Sequence, residues 1–91
     1  REAVVEMYNT TGIESRVAED FEKAIKSFKN ALFISPEDEG LHYNLARAYI
    51  GATDWKAAKN SIEEGLSINP EFKEGLQLLA FIDKNMQQTD N

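Results

Sequence analysis

The residues whose types could do chemistry in this 91-residue chain are a single histidine, an acidic run and an Asn-x-Thr triplet. His42 stands in no motif that supplies the oriented base and third group of a catalytic histidine, so we predict a structural role for it. The acidic run 37–39 lacks the alternating ligands and central glycine of a calcium loop and is typical of a solvated first helical turn. The triplet 9–11 matches the acceptor pattern for N-glycosylation, which matters only in a secreted eukaryotic protein.

Other signatures of catalysis are missing from the sequence. The chain has no cysteine, which excludes disulfides, thiolate zinc sites and thiol nucleophiles. It also has no glycine-rich phosphate loop and no nucleophile elbow. We therefore predict that the chain is not an enzyme and that it has no catalytic residues, no metal site and no cofactor.

The charge balance narrows the class of partner. Sixteen acids against ten lysines and arginines give a formal charge of −6. Nucleic acids and anionic membranes bind basic surfaces, so this balance argues against both as the main partner. No apolar run reaches the ~18–20 residues of a membrane span, so direct membrane insertion is not expected. The expected partner is a protein or peptide that is neutral, apolar or locally basic.

An internal repeat determines the elements that must position any functional residue. A shift of 34 residues superimposes the sequence on itself, and the matched pairs include Asp20 with Asp54, Ala24 with Ala58, Leu32 with Leu66 and Pro36 with Pro70. Apolar residues recur at three- and four-residue steps within each unit, which predicts a helix–turn–helix. The predicted helices are 2–11, 18–34, 39–51, 55–68 and 73–87. Between the third and fourth, Gly51 is interpreted as a helix stop and Asp54 as a cap.

The middle unit resembles a tetratricopeptide repeat. The residues that carry the resemblance are Leu45, Ala46, Tyr49, Ala58, Ile62, Gly65 and Pro70, with His42 at the family's usual tryptophan position. The resemblance covers nearly the whole chain, at about two and a half repeats. It implies an all-α fold, an α-α superhelix of antiparallel helix hairpins with about five helices. We expect one domain, 1–91, with repeat 1 at about 5–38, repeat 2 at 39–72, a lone capping helix at 73–87 and a tail at 88–91.

The resemblance also implies a binding surface, because the first helices of the units line a concave groove that holds a partner peptide or helix. The predicted groove residues are Tyr43, Asn44, Arg47, Ile50, Glu74, Gln77, Leu78 and Phe81, with Asn9 and Ile13 added from the first unit. Tyrosine and arginine dominate binding energy at desolvated interfaces. The basic residues with which some family members clamp the carboxylate tail of chaperone peptides are missing at the corresponding positions. An acidic group on some other ligand remains a possible partner for Arg47.

The first unit departs from the family pattern. Thr11, Gly12 and Ser15 stand where leucine, glycine and tyrosine are expected, and no glycine separates the two helices. This predicts an irregular first helix with a break at 9–12. The alternative function is therefore a structural or assembly module, which self-associates as a homodimer through its solenoid ends or a swapped N-terminal helix.

The start of the chain bears on its origin. It begins at Arg1 instead of methionine, which indicates a segment of a longer protein, and nothing there resembles a signal peptide. The sequence leaves the location unknown: the cytoplasm is slightly favoured, and a targeting segment upstream of Arg1 is the alternative.

Overall fold

The computed structural model describes residues 2–89. Within these residues the helical periodicity of the sequence corresponds to five α-helices, with no strand. The helices are α1 (Glu2–Val17), α2 (Phe21–Ile34), α3 (Glu39–Gly51), α4 (Trp55–Ile68) and α5 (Lys73–Thr89). The all-α fold is confirmed, and the predicted bounds of the third and fourth helices are those observed. α5 continues through residue 89, so the first two residues of the tail predicted at 88–91 are helical. Residues 1, 90 and 91 lie outside the described residues.

The first helix does not break where the sequence predicted. α1 continues through Gly12 to Val17, so the expected irregularity at 9–12 is wrong, and α2 begins at Phe21 rather than at residue 18. Gly12 is buried against the ring of Phe28, and a Cβ added to it would lie 2.5 Å from the ring atom Cε1. The glycine therefore permits a close helix–helix approach and does not act as a helix breaker.

Aspartate caps start the second helix of each hairpin. The carboxylate of Asp20 accepts a hydrogen bond from the backbone N–H of Lys23 at 3.2 Å. The carboxylate of Asp54 accepts the equivalent bond from Ala57, also at 3.2 Å. The first N–H groups of a helix have no intrahelical partner, so each aspartate satisfies a donor that would otherwise be left to water.

Each turn inside a hairpin is closed by a non-glycine residue in the left-handed region. Glu19 has a φ of 65° and Thr53 a φ of 59°. α3 ends at Gly51, as predicted, but Gly51 is its last helical residue and has no positive φ, so it is not a left-handed cap. Its role is one of contact, since a Cβ at Gly51 would overlap the ring of Phe21. Both turns thus reverse the chain at the same repeat position without glycine.

Consecutive helices pack against each other in order. α1 with α2 and α3 with α4 form two hairpins, α2 contacts α3, α4 contacts α5, and α1 also contacts α3. The principal extents of 44 × 29 × 16 Å describe a thin, elongated stack. This order places the first helices, α1, α3 and α5, on one side of the stack. None of the helices between residues 2 and 89 has the length and apolar character that crossing a lipid bilayer requires.

The core is divided into two clusters, one between α2 and α3 and one shared by α3, α4 and α5. The buried members of the first cluster are Ala24, Phe28, Leu45 and Ala48. The buried members of the second are Ala46, Ala58, Ile62 and Ile82. Each cluster combines two small residues with two large apolar side chains, and the small residues let the helix backbones approach closely. Because every cluster spans an interface between helices, the stack buries its core along its length rather than at one centre.

Candidate ligand-binding groove

A cavity of about 530 Å³ opens on the side of the stack that carries the first helices. We call it the groove pocket, and its lining residues are Arg16, Val17, Glu19, Phe21, Arg47, Ile50, Gly51, Leu78 and Phe81. They come from α1 and the turn after it, from the start of α2, from α3 and from α5. Four helices, from both hairpins and from α5, therefore contribute to one concavity.

Four of the eight predicted groove residues line this pocket. Arg47 and Ile50 enter from α3, one turn apart, and Leu78 and Phe81 enter from α5 at a similar spacing. Residues three or four apart share a helix face, which explains why each pair reaches the same space. Phe81 is 49% exposed, so much of its ring remains available to a ligand. The assignment of these residues to partner binding stays a prediction.

Tyr43 lies beside the pocket and supports Arg47 rather than lining the cavity. The guanidinium carbon of Arg47 is 5.7 Å from the centre of the Tyr43 ring. The edge of that ring meets Phe72, with ring centres 5.6 Å apart. Cation–π contacts of this kind restrict a long side chain, so Arg47 is held at the rim of the pocket.

Asn44 has a structural contact. Its side-chain amide donates a hydrogen bond of 2.8 Å to the Oδ1 atom of Asn9, which joins α3 to α1. Asn9 is also the asparagine of the Asn-x-Thr triplet, and it lies in the middle of α1 with its side chain half-buried. The bond therefore fixes the spacing of two first helices.

The structure does not bring the remaining predicted residues into the cavity. Glu74 and Gln77 are exposed on α5 and do not line the pocket. Ile13 is 38% exposed on α1 and also lies outside it. These side chains could meet only a ligand that extends beyond the pocket.

Arg16 is the main pocket residue that the sequence prediction missed. Partial burial lowers the pKa of the Arg16 guanidinium from its ordinary value, and the positive charge of Arg47 lowers it further, while Tyr43 acts in the opposite direction. Arg16 stays protonated at neutral pH, because an arginine pKa lies far above 7. The repeat register contained the missing signal, since a shift of 34 places Arg16 on Ile50, a residue that was predicted.

The pocket is electrostatically unlike the rest of the chain. Its lining has two positive charges, on Arg16 and Arg47, and one negative charge, on Glu19, which gives a net charge of +1. The protein as a whole has a formal charge of −6. Among residues 2–89, the one ion pair is between Lys59 and Asp83, at 2.9 Å, and it involves neither arginine.

An aromatic contact, an ion pair and a buried side chain attach the α5 side of the pocket to α4. The rings of Phe81 and Trp55 are tilted against each other, with centres 5.9 Å apart. The ion pair of Lys59 with Asp83 connects the same helices. The hydrogen bond that Lys59 donates to the Asp83 carboxylate, followed by the charge of that carboxylate, raises the pKa of Lys59. Exposed ion pairs contribute little to stability, so the aromatic contact and the buried Ile82 hold α5 in place.

The other candidate chemical groups have structural partners. His42 Nε2 lies 2.9 Å from the carbonyl oxygen of Pro36, where α3 is about to begin. Within the acidic run, the Asp38 carboxylate accepts hydrogen bonds from the N–H groups of Gly40 and Leu41 and so caps α3. No group of three histidine, aspartate or glutamate side chains in the described part of the chain converges to hold a metal ion.

Comparison with known proteins places the chain among repeat proteins. The tetratricopeptide repeat family matches residues 18–82. The chain is 30% identical over 79 residues to protein O-mannosyl-transferase TMTC3 of Homo sapiens, an alignment that covers 87% of the chain. The Mus musculus protein of the same name matches with the same identity and coverage. The chain spans only 9% of the length of these curated relatives.

Proposed function

The chain belongs to the tetratricopeptide repeat family, and on that premise we propose that it is a non-catalytic module whose groove holds a peptide or helix from a partner protein. Repeats of this family commonly mediate protein–protein interaction. The observation that carries the proposal is the groove pocket, in which α1, α3 and α5 present a joint concave surface. The division into repeat 1 at about 5–38, repeat 2 at 39–72 and a lone last helix belongs to the same proposal.

The size and the lining of the pocket support the proposal. Its volume of about 530 Å³ lies within the roughly 300–1,000 Å³ that is usual for ligand pockets. Its walls combine apolar side chains with two arginines, and such a mixture provides both contact area and orientation. Phe81 and Arg47 are exposed residues of types enriched at energetically important positions in interfaces. Glu74 and Gln77 would contact the parts of a partner that extend past the pocket.

A non-catalytic role is part of this proposal. The relatives from human and mouse are named as transferases, and the chain spans only 9% of each, so their activity does not transfer to it. The polar groups in the pocket are two arginines and one glutamate, and no histidine, serine or threonine lines it. Such a set can bind and orient a ligand, but it lacks a nucleophile paired with a base.

Selection of random peptides displayed on phage tests the proposal. We expect the domain to select peptides from the library. A Leu78→Ala/Phe81→Ala variant should bind these peptides at least about tenfold more weakly than the parent does, because it removes apolar contact area from the pocket. The matched control is Phe33→Ala, since Phe33 is 90% exposed on α2 and outside the pocket. Circular dichroism checks that both variants remain helical. Peptides that bind the double variant as well as the parent would contradict the groove assignment.

Self-association is a second candidate function, favoured by the exposed ends of the stack. Met7 occupies in α1 the repeat position of Leu41 in α3, yet Met7 is 55% exposed and Leu41 only 3%. Leu76 on α5 is 49% exposed at the opposite end. Sedimentation velocity at high concentration should then show a dimer that dissociates in a Met7→Gln/Leu76→Gln variant. A strict monomer would eliminate this candidate.

A further inference from the structure

Two arginines from different repeats converge on the groove pocket without a carboxylate partner among the described residues. We propose that the pocket accepts an internal aspartate or glutamate side chain of the partner, flanked on both sides along the chain by apolar side chains. This inference rests on the proposed function and adds the chemistry of the ligand. For this pocket it replaces the expected neutral, apolar or locally basic partner with an acidic residue, the other ligand that the sequence left open for Arg47.

The charge of the pocket matches a single carboxylate. Arg16 and Arg47 against Glu19 leave the lining at +1, which one carboxylate neutralises. A ligand with several negative charges would instead meet the overall charge of −6 as it approached. Guanidinium groups bind carboxylates through paired N–H donors, and partial burial of Arg16 strengthens such bonds relative to those in water.

The arrangement of the apolar walls indicates an internal acidic residue. Val17 and Phe21 line the pocket from the first hairpin, and Leu78 and Phe81 line it from α5. Arg47 is on α3, which lies between those two elements in the stack. A carboxylate bound to Arg47 therefore has apolar surface on both sides along the stack. A segment that follows the groove would fill both walls only if apolar residues preceded and followed the acid.

The register of the repeats explains how the arginine pair arises. Arg16 lies at the position that Ile50 has in α3, and Arg47 lies at the position that Phe81 has in α5. The two arginines are thus at different repeat positions on successive first helices, and both reach the same pocket. Tyr43 restrains Arg47 at 5.7 Å from its ring centre, so one of the two cations is already oriented before a ligand arrives.

The probe is a set of synthetic peptides, acetylated and amidated at their ends, that share one frame with a central leucine–X–leucine triplet. In three peptides X is glutamate, glutamine or phosphoserine. A fourth peptide has glutamine at X and a free carboxylate at its C-terminus in place of the amide. Nuclear magnetic resonance titration of the isotopically labelled domain measures each affinity and locates the binding site. We expect the glutamate peptide to bind about ten- to a hundredfold more tightly than the glutamine peptide and to shift the backbone amide signals of residues 16 and 47–51.

Protein variants link that preference to the arginine pair. An Arg16→Gln/Arg47→Gln variant should bind the glutamate and glutamine peptides with nearly equal affinity. The control is Lys26→Gln/Lys56→Gln, which changes the net charge by the same amount at exposed positions outside the pocket and should keep the preference. Added salt should reduce the preference in the parent protein.

The outcomes separate this inference from the proposed function. Equal affinity for the glutamate and glutamine peptides would overturn the inference while leaving peptide binding in the groove intact. Stronger binding of the phosphoserine peptide or of the free carboxyl terminus would overturn the internal carboxylate as the ligand. If phage-selected peptides bind the groove but no member of the frame does, the inference fails alone. If neither set binds, the proposed function fails with it.

Discussion

The two hairpins are closed by the same kind of seam, built from different residues. In the first hairpin Gly12 lies against Phe28, and in the second Ala46 and Ile62 occupy the corresponding repeat positions. Phe28, Ala46 and Ile62 are fully buried, at 0% exposure. Phe28 is the larger side chain and faces Gly12, which has no side chain. Ile62 is smaller and faces the methyl group of Ala46. The seam therefore depends on the combined volume of the pair more than on the identity of either residue.

The largest expected effect comes from emptying the first seam. Phe28→Ala should lower the free energy of unfolding by about 3–5 kcal/mol, because it leaves a large cavity opposite a glycine. Ile62→Ala should cost less, since Ile62 is smaller and faces Ala46. Urea denaturation followed by circular dichroism measures both losses. Equal losses of unfolding free energy would show that the stability of the two seams does not depend on the volumes of Phe28 and Ile62.

Adding a methyl group to the first seam should have the next largest effect. Gly12→Ala should destabilise the protein by about 1–3 kcal/mol, because the new Cβ would overlap the Phe28 ring, and overlap outweighs the gain in helix propensity. Combining Gly12→Ala with Phe28→Ile recreates the pair found in the second hairpin and should recover most of that loss. A double-mutant cycle with thermal unfolding measures the coupling. Simple additivity would contradict the volume rule.

Removing the aspartate caps should affect the two hairpins equally. Asp20→Ala and Asp54→Ala should each lower the free energy of unfolding by about 1 kcal/mol, because each cap makes the same bond of 3.2 Å. The controls are Asp20→Asn and Asp54→Asn, which keep a side-chain oxygen for the cap and should retain most of the stability. Chemical denaturation compares the four variants. A loss confined to one hairpin would show that the two turns are not equivalent.

The smallest expected effect is a gain in stability when the left-handed turn residues are replaced by glycine. Glu19→Gly and Thr53→Gly should stabilise the protein by about 0.5–1 kcal/mol, because glycine adopts positive φ without steric cost. The β-branched Thr53 should gain more than Glu19, since branching makes the left-handed region less favourable. Thermal unfolding midpoints compare the two. Destabilisation by either change would show that the native side chain contributes contacts that outweigh its strain.

The bounds of α3 and α4 could be predicted from sequence, because their small residues, Gly51 and Asp54 follow the family pattern closely. The shape of the first hairpin could not be predicted in this way. Gly12 was interpreted as a breaker, because a sequence does not show that Phe28 lies against it. The turn at Glu19 could not be recognised either, because glutamate is not a residue type that indicates a left-handed turn.

Half of the eight predicted groove residues line the pocket, and the reason is geometric. Arg47, Ile50, Leu78 and Phe81 reach the groove pocket because the family register places them on the correct helix face. Glu74 and Gln77 share that face but lie beyond the pocket, which a register without distances cannot show. Arg16 was missed because the first unit matches the family poorly before residue 18, where the family match also begins.

Phe21 connects two properties of the stack that would otherwise be independent. Its ring rests on the backbone of Gly51, where one hairpin meets the next, and the same ring is a wall of the groove pocket. The angle between the hairpins and the width of the pocket are therefore mechanically coupled through one side chain. A ligand that displaces this ring would change the curvature of the superhelix, and a bend imposed on the superhelix would open or narrow the pocket.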